Sequence, residues 1–312
     1  MHSWNQPILD SLAQRLERLP HALLVHGPWG VGKLALAERA AQFLLCEGQK
    51  KPCDACDACR WFRAGNHPDF RRLEPEALSK EPPPEDETPA RKTKQPSIEI
   101  KIEQVRALAD FLNVGSHRGG RRVTLVHPAE HMNVPTANAL LKGLEEPPAS
   151  AVFILVSHRP AQLLPTIRSR CVAIPVPLPP RDAAIGWLSE QGVKDPQRWL
   201  AYAGGAPLRA VEHAARGAPA LVPVDVREAL EPLAEALQKT ALDHALLAFG
   251  LPAKYQTTGA TVARERAGDW LAFARQMGED RLLCRHPLNP RLFSAAMLAA
   301  MPSGSETPQR PR

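Results

Sequence analysis

A short apolar segment, a glycine-rich loop and a helix-like segment follow one another near the start of the chain. This order constrains the fold more than any other feature. Residues 23–26, Leu-Leu-Val-His, are typical of a buried strand, and residues 34–45 repeat apolar side chains at helical spacing. The loop between them contributes Gly27, Gly30, Gly32 and Lys33. A strand, a glycine loop and a helix in this order predict the first unit of an α/β fold.

The alternation of strands and helices continues through the first half of the chain. Buried strands are predicted at residues 123–126 and 151–156. Amphipathic helices are predicted at residues 102–112 and 137–144, the second ended by Pro147-Pro148. We therefore expect a mostly parallel sheet that is covered by helices on both faces.

Proline-rich stretches divide the chain into expected domains. Four prolines near residue 178 predict a stiff joint, and the residues beyond it show helical patterns without a convincing pair of strands. Residues 74–97, rich in Pro, Glu and Lys, are expected to form a mobile, disordered surface insertion. The expected organisation is an α/β domain over 1–178, a small helical domain over 179–215, a second helical domain over 216–301 and a loose tail over 302–312.

Composition excludes several classes of protein. With 44% apolar and 23% charged residues, the chain resembles an ordinary globular protein rather than a disordered or collagen-like one. It contains no run of ~18–20 consecutive apolar residues, the length that a membrane-spanning helix requires. Its first residues, Met1-His2-Ser3-Trp4-Asn5, lack the pattern of a secretory signal, so we expect a cytoplasmic protein. The net charge of +6 fits a polyanionic partner and an ordinary solvated surface alike.

Four of the six cysteines fall within 14 residues: Cys46, Cys53, Cys56 and Cys59. Four thiolates suit tetrahedral Zn²⁺, and a site with four protein ligands leaves no position for a catalytic water. We therefore expect a structural zinc, held by Cys46 from the end of a helix and by the other three from a tight loop. A redox Cys-x-x-Cys pair and a chance cluster remain the alternatives.

The glycine loop has the form Gly27-x4-Gly32-Lys33, which wraps phosphates with backbone N–H groups and brings a lysine to the outer phosphates. A working loop continues with Ser or Thr to hold Mg²⁺, whereas this chain has Leu34. A degenerate nucleotide site and a purely structural glycine turn both remain open.

The residues after the second buried strand also differ from those of P-loop ATPases. In those enzymes, acidic residues at this point support Mg²⁺ and polarise the attacking water. Here His127 and Pro128 follow the strand. Glu130 lies two residues further on and is expected to face another way. We expect His127 to be a polar residue of the strand end rather than a ligand.

Two further motifs follow. Residues 138–148, Asn-Ala-Leu-Leu-Lys-Gly-Leu-Glu-Glu-Pro-Pro, predict an amphipathic helix. Arg170 lies in Ser169-Arg170-Cys171, just before a strand-like segment at 172–174. An arginine at such a point is either a surface charge or an arginine finger, which neutralises charge on the γ-phosphate of a neighbouring subunit.

Together these motifs resemble the AAA+ clamp-loader family of the bacterial DNA polymerase III holoenzyme. The resemblance covers about residues 1–180 well and residues 181–301 in outline. The matching motifs are Trp4, the glycine loop, the four cysteines, His67-Pro68-Asp69, Ile102-Glu103-Gln104-Val105-Arg106, residues 138–148, Ser169-Arg170-Cys171, Gly205-Ala206-Pro207 and Asn289-Pro290-Arg291-Leu292.

The resemblance implies a RecA-like AAA+ domain with a parallel sheet and the zinc module, then a small helical lid and a C-terminal helical collar that oligomerises. It implies the motor (tau/gamma) and delta subunits of the clamp loader as partners. Through the assembly, it also implies the sliding clamp and primed DNA. DNA-directed DNA polymerase activity, a nucleotidyl transfer, would belong to the holoenzyme.

The chain differs from the motor subunits of that family at its own nucleotide site. This chain has Leu34, His127-Pro128 and, after the second-sensor glycine, Leu208 with Arg209 displaced by one. The finger, Arg170, is intact. The resemblance therefore implies a subunit that does not hydrolyse ATP and donates Arg170 in trans. The degenerate nucleotide site would consist of Gly27, Gly30, Gly32, Lys33 and Ser157, the last at the first sensor position.

Two other classes remain. One is an AAA+ subunit that itself binds and hydrolyses ATP, against which the missing acidic pair argues. The other is a zinc-bearing DNA-binding protein, against which the absence of a dense Lys/Arg run argues. The retained Lys33 leaves nucleotide binding open.

Overall fold

The computed structural model describes residues 1–14, 21–79, 97–113, 120–148, 150–257, 261–284 and 286–302. The chain separates into two compact units, Met1–Pro179 and Pro180–Arg312. Most of the segment for which a mobile insertion is predicted, and nearly all of the predicted tail, lie outside the described residues. Within the described residues, no helix combines the length and the apolar character needed to cross a bilayer.

The first unit is built on a five-stranded sheet in the order β2-β3-β4-β1-β5, with every pair parallel. Its strands are β1 (Ala22–His26), β2 (Phe70–Leu73), β3 (Arg122–Val126), β4 (Ala151–Ser157) and β5 (Val172–Pro175). Its helices are α1 (Gln6–Ala13), α2 (Lys33–Leu45), α3 (Asp57–Ala64), α4 (Ile102–Asn113), α5 (Val134–Glu145) and α6 (Pro165–Arg168). The predicted parallel α/β sheet is therefore confirmed.

The central strands are apolar because helices cover both faces of the sheet. Every residue of β3 and β4 is buried, and Phe153 and Leu155 pack with Leu140 and Leu144 of α5 in one core cluster. β1 pairs with β4 so that His26 lies opposite Ser157. The glycine loop therefore begins beside the end of β4, at the edge of the sheet where α/β proteins bind ligands.

Four elements of this unit, namely α1, α3, α6 and β2, were not predicted from the sequence. β2 has the sequence Phe-Arg-Arg-Leu, which lacks an apolar run because an edge strand has only one neighbour. The expectation that three cysteines lie in a tight loop is wrong for one of them. Cys59 lies on α3, whose N-terminus is capped by the Cys56 side chain accepting from the Cys59 N–H.

The regular secondary structure of the second unit is helical in the part of the unit that the structure describes. Its helices are α7 (Arg181–Glu190), α8 (Pro196–Tyr202), α9 (Pro207–Arg216), α10 (Leu230–Ala248), α11 (Ala267–Leu283) and α12 (Pro290–Ala299). The first three share a small core around Leu188 and Leu200, and the last three share a larger one around Leu237, Trp270 and Met297. The smaller core lies within residues 179–215 and the larger one within 216–301, and their division into two domains stays a prediction.

Candidate functional site

The four clustered cysteines form a candidate metal centre. All four sulfur atoms lie within 4.8 Å of one another, and the Cys46 and Cys56 sulfurs are 3.9 Å apart. A tetrahedral zinc with Zn–S of about 2.3 Å places its sulfurs about 3.8 Å apart. The donor set and its spacing therefore fit Zn²⁺.

Backbone N–H groups donate hydrogen bonds to the sulfur atoms of these cysteines, and burial opposes their effect on the thiol pKa. The N–H groups of Gly48 and Cys53 both donate to Cys46 Sγ at 3.3 Å. Hydrogen bonds from the N–H groups of Ala55 and Cys56 lower the pKa of the Cys53 thiol to about 6. Burial instead raises the pKa of Cys59 to about 12, so zinc binding there must release a proton. A Cβ on Gly48 would lie 2.8 Å from Cys53 Sγ, so the loop has no room for a side chain at that point.

Helix α2 supports the metal centre through a polar network. Arg39 donates from Nη1 and Nη2 to the two carboxylate oxygens of Asp54 at 2.6 and 2.8 Å, and Gln42 Nε2 donates to the same group at 2.9 Å. Asp54 lies between two of the cysteines and has a left-handed φ of 58°. The pKa of Arg39 is raised, chiefly by the hydrogen bond to Asp54 and further by the charges of Cys59 and Cys46. The network therefore fixes the cysteine loop to the end of α2.

The glycine loop has the shape of a phosphate loop, but its lysine is turned back onto the loop. A Cβ on Gly27 would meet the carbonyl oxygen of Val176 at 2.1 Å, which requires glycine there. Lys33 is 2% exposed, and its Nζ donates to the carbonyl oxygens of Gly27, at 2.8 Å, and Pro28. Burial lowers the pKa of Lys33 to about 8, although the nearby Glu130 charge opposes this.

The first residues of the chain contact the glycine loop and hydrogen-bond to its backbone. Trp4 Nε1 and Asn5 Nδ2 each donate to the carbonyl oxygen of Val31 at 3.0 Å. The His2 ring lies 2.6 Å from the position that a Cβ on Gly32 would take, and Gly32 has a φ of 86°. Trp4 was noted in the sequence, whereas His2 and Asn5 were missed because nothing in their local pattern places them against a loop 27 residues away.

The neighbouring strand ends supply two histidines and one carboxylate. The rings of His127, after β3, and His158, after β4, meet edge to face at 5.4 Å. Burial and nearby charges lower the pKa of His127 to about 4 and that of His158 to about 3, so both are neutral at pH 7. The expectation that Glu130 faces elsewhere is wrong. Its carboxylate accepts from the His158 N–H at 2.9 Å and acts on Lys33.

This arrangement lacks the groups that hold and use Mg²⁺ in P-loop ATPases. Leu34 provides no oxygen, and the positions after β3 hold His127 and Pro128 rather than an acidic pair. Ser157 remains at the end of β4, fully buried, where its Oγ accepts from the Arg159 N–H at 3.2 Å. The structure therefore assembles the predicted loop residues beside Ser157 without a second acidic residue.

Arg170 follows α6 and contacts α5 rather than the glycine loop. Its Nη2 lies 2.7 Å from Oε1 of Glu145, and its Nη1 donates to the carbonyl oxygen of Thr166 at 3.0 Å. The Arg170 side chain is 36% exposed, whereas Ile167, three residues earlier, is fully buried. The guanidinium of Arg170 is therefore partly exposed, although Ile167 just before it packs in the core.

Arg209, displaced by one from the second-sensor position, is paired within the second unit. Its Nη2 lies 2.7 Å from both carboxylate oxygens of Glu235 on α10. Lys239 Nζ lies 2.7 Å from the same carboxylate. Burial alone would raise the pKa of Glu235, but the charges of Lys239 and Arg209 lower it to about 2. This ion cluster joins the two helical patterns of the second unit.

Comparison with known proteins places these features in a family. Residues 5–179 match the family described as DNA polymerase III, delta subunit. The DNA polymerase III subunit delta′ of Pseudomonas aeruginosa is 41% identical over 216 residues, covering 67% of this chain and 60% of that protein. The Yersinia pestis subunit delta′ is 36% identical over 200 residues, covering 61% of this chain and 54% of that protein. The matched region thus spans between half and two thirds of these relatives.

A match is also found among solved structures. It is a DNA polymerase III gamma subunit-related protein from Thermotoga maritima, with 20% sequence identity and a TM-score of 0.49. The match covers 93% of this chain and 97% of that one. On the family match over residues 5–179, this chain belongs to the DNA polymerase III delta subunit family, and among the relatives it matches are delta′ subunits.

Proposed function

We propose that this chain is a non-hydrolysing subunit of a bacterial DNA polymerase III clamp loader and that it donates Arg170 in trans to a neighbouring ATPase subunit. One observation carries the proposal. The groups for Mg²⁺ are missing around Lys33, whereas Arg170 follows the buried Ile167 by three residues and has a partly exposed guanidinium. A subunit that lacks a working ATP site but keeps the arginine finger can contribute to ATP hydrolysis only at the site of a neighbouring ATPase subunit.

The assembly supplies the remaining partners. By analogy with the delta′ relatives, the chain would join the tau/gamma motor subunits and the delta subunit. Together they would load the sliding clamp on primed DNA during replication. In this proposal, residues 1–178 form the AAA+ domain, 179–215 the lid and 216–301 the oligomerising collar. Zinc at the four cysteines is structural, and nucleotidyl transfer belongs to the holoenzyme.

The chemistry of the finger follows from charge. As the bond to the leaving group breaks, negative charge spreads over the equatorial oxygens of the γ-phosphoryl group. A guanidinium in a water-poor interface stabilises that charge through a planar fork of N–H groups, which lysine lacks. A dedicated finger raises the rate at its site by about 10³–10⁵.

Arg170→Ala tests the proposal in the assembled loader. The variant should fold, keep its zinc and join the complex, but turn over less ATP. The fall in total ATPase should be smaller than a finger's full effect, because only one of several sites faces Arg170. Clamp loading should fall further if the sites fire in a coupled way. Arg168→Ala is the matched control, since Arg168 is an exposed arginine that ends α6, two residues before Arg170. If an assembled Arg170→Ala loader loads clamps at the wild-type rate, Arg170 is not an arginine finger and the subunit has only a structural role.

The alternative is that this chain itself binds and hydrolyses ATP. The retained Lys33 and the nearby carboxylate of Glu130 favour this alternative. The purified chain should then hydrolyse ATP with Mg²⁺, and Lys33→Ala should abolish this and lower loader activity. The proposal predicts no hydrolysis above background and a loader ATPase nearly unchanged by Lys33→Ala.

A further inference from the structure

The Arg170 guanidinium is held by two contacts that use different nitrogens. Nη2 faces the Glu145 carboxylate at 2.7 Å, and Nη1 donates to the Thr166 carbonyl oxygen at 3.0 Å. Because the guanidinium is planar and rigid, two such contacts set both its position and the direction of its plane. Glu145 is the only charged member of this arrangement besides Arg170 itself among the contacts that the structure describes for Arg170.

The backbone on each side of the ion pair is anchored in the core. Glu145 is the last residue of α5 and follows Leu144, which is 1% exposed and whose carbonyl oxygen lies 2.9 Å from His21 Nε2. Arg170 is tied by its N–H to the carbonyl oxygen of Ile167 at 3.1 Å. The side chains of the pair are 48% exposed for Glu145 and 36% for Arg170. Two fixed backbones therefore present a pair whose charged ends another molecule can reach.

From this geometry we infer that Glu145 is a positioning residue for the arginine finger, an inference that rests on the proposed function. A free arginine side chain samples many rotamers, and ordering it at an interface costs conformational entropy. Glu145 holds the guanidinium in one orientation before a neighbouring nucleotide arrives. Because an exposed ion pair is weak, a γ-phosphate with greater charge, in a site with less water, takes over the N–H groups as the interface closes.

The test uses the assembled loader and measures kcat and KM for ATP separately. Glu145→Ala should lower kcat with KM unchanged. The loss should be a fraction of that caused by Arg170→Ala and at most about fivefold, because exposed ion pairs contribute no more than this factor. Glu145→Gln keeps an oxygen that accepts from Nη2, so it should recover part of the loss. Added to Arg170→Ala, Glu145→Ala should have no further effect.

Glu146→Ala is the matched control, because Glu146 is the adjacent exposed carboxylate, and it should behave as wild type. Thermal unfolding and zinc content check that each variant is folded. If Glu145→Ala slows the Arg170→Ala loader as much as it slows the wild type, Glu145 acts through structure and the inference is wrong. If Glu145→Ala has the wild-type kcat while Arg170→Ala is slow, the inference is wrong and the proposed function stands. If Arg170→Ala itself turns over ATP and loads clamps as wild type, the proposed function fails first.

Discussion

The Lys33 ammonium donates a hydrogen bond to the carbonyl oxygen of Gly27 at 2.8 Å, so the lysine that would reach a phosphate instead closes its own loop. Burial holds the pKa of this lysine at about 8. A nucleotide would therefore have to draw the ammonium away from two backbone carbonyl oxygens.

This relationship predicts a pH effect on stability. Because the folded pKa of Lys33 is about 8 and its ordinary value is 10.5, the unfolded chain binds more protons between these pH values. The Lys33 contribution to the free energy of unfolding should therefore rise with pH across this window and be constant below it. The rise is on the order of 3 kcal/mol. Chemical denaturation at pH 7.5 to 10.5 should show it in wild type relative to Lys33→Met. Parallel profiles for the two proteins would mean that the lysine is not desolvated as described.

The metal centre predicts one Zn²⁺ per chain. Cys56→Ser removes one of four sulfur ligands and should loosen the cysteine loop more than the whole fold, because the sheet core lies outside it. Elemental analysis of protein prepared without chelator measures the zinc, and limited proteolysis measures the loop. Wild-type protein that carries no zinc would refute the assignment.

Gly48 predicts a steric requirement beside the metal centre. An added Cβ would lie 2.7 Å from Cys53 Cβ and 2.8 Å from its Sγ, so Gly48→Ala must shift a ligand and weaken zinc binding. Competition with a chromophoric chelator should show zinc lost about 10–100-fold more readily, the range seen when groups that orient ligands are changed. Gly186→Ala is the control, because nothing lies within 4 Å of its added Cβ. Equal zinc retention by both variants would show that the loop adapts.

Glu235 predicts acid sensitivity of the second unit. Its folded pKa of about 2 lies below its ordinary 4.5, so its contribution is present above pH 4.5 and is lost as the pH falls towards 2. Glu235→Gln leaves Arg209 and Lys239 without their carboxylate and should lower stability at pH 7 by about 3 kcal/mol. The control is Glu231→Gln, one turn earlier, whose side chain is 41% exposed and should cost much less. Denaturant unfolding between pH 2 and 7 measures both, and equal losses would contradict a buried role for Glu235.

The features that could be predicted from the sequence are those that depend on residues close together along the chain. The four cysteines lie within 14 residues, and the glycine loop joins a strand to a helix directly. In both cases, the short separation along the chain predicts that the residues lie close together in space. The apolar runs at β1, β3 and β4 and the helical periods of α2 and α5 likewise report burial residue by residue. β2 escaped prediction because an edge strand with two arginines carries no such run.

The sequence by itself therefore determined the α/β order, the cysteine cluster, the shape of the phosphate loop and the loss of its magnesium groups. Only the tertiary structure decided that Glu130 accepts from the backbone N–H of His158, that Glu145 pairs with Arg170 and that Glu235 pairs with Arg209 and Lys239. Arg170 and Arg209 are each paired with a carboxylate about 25 residues away along the chain, a separation that no helical or strand period encodes. Parallel strands bring their carboxyl ends to one edge, and packed helices bring distant side chains together, so charge pairs of this kind arise from packing rather than from spacing.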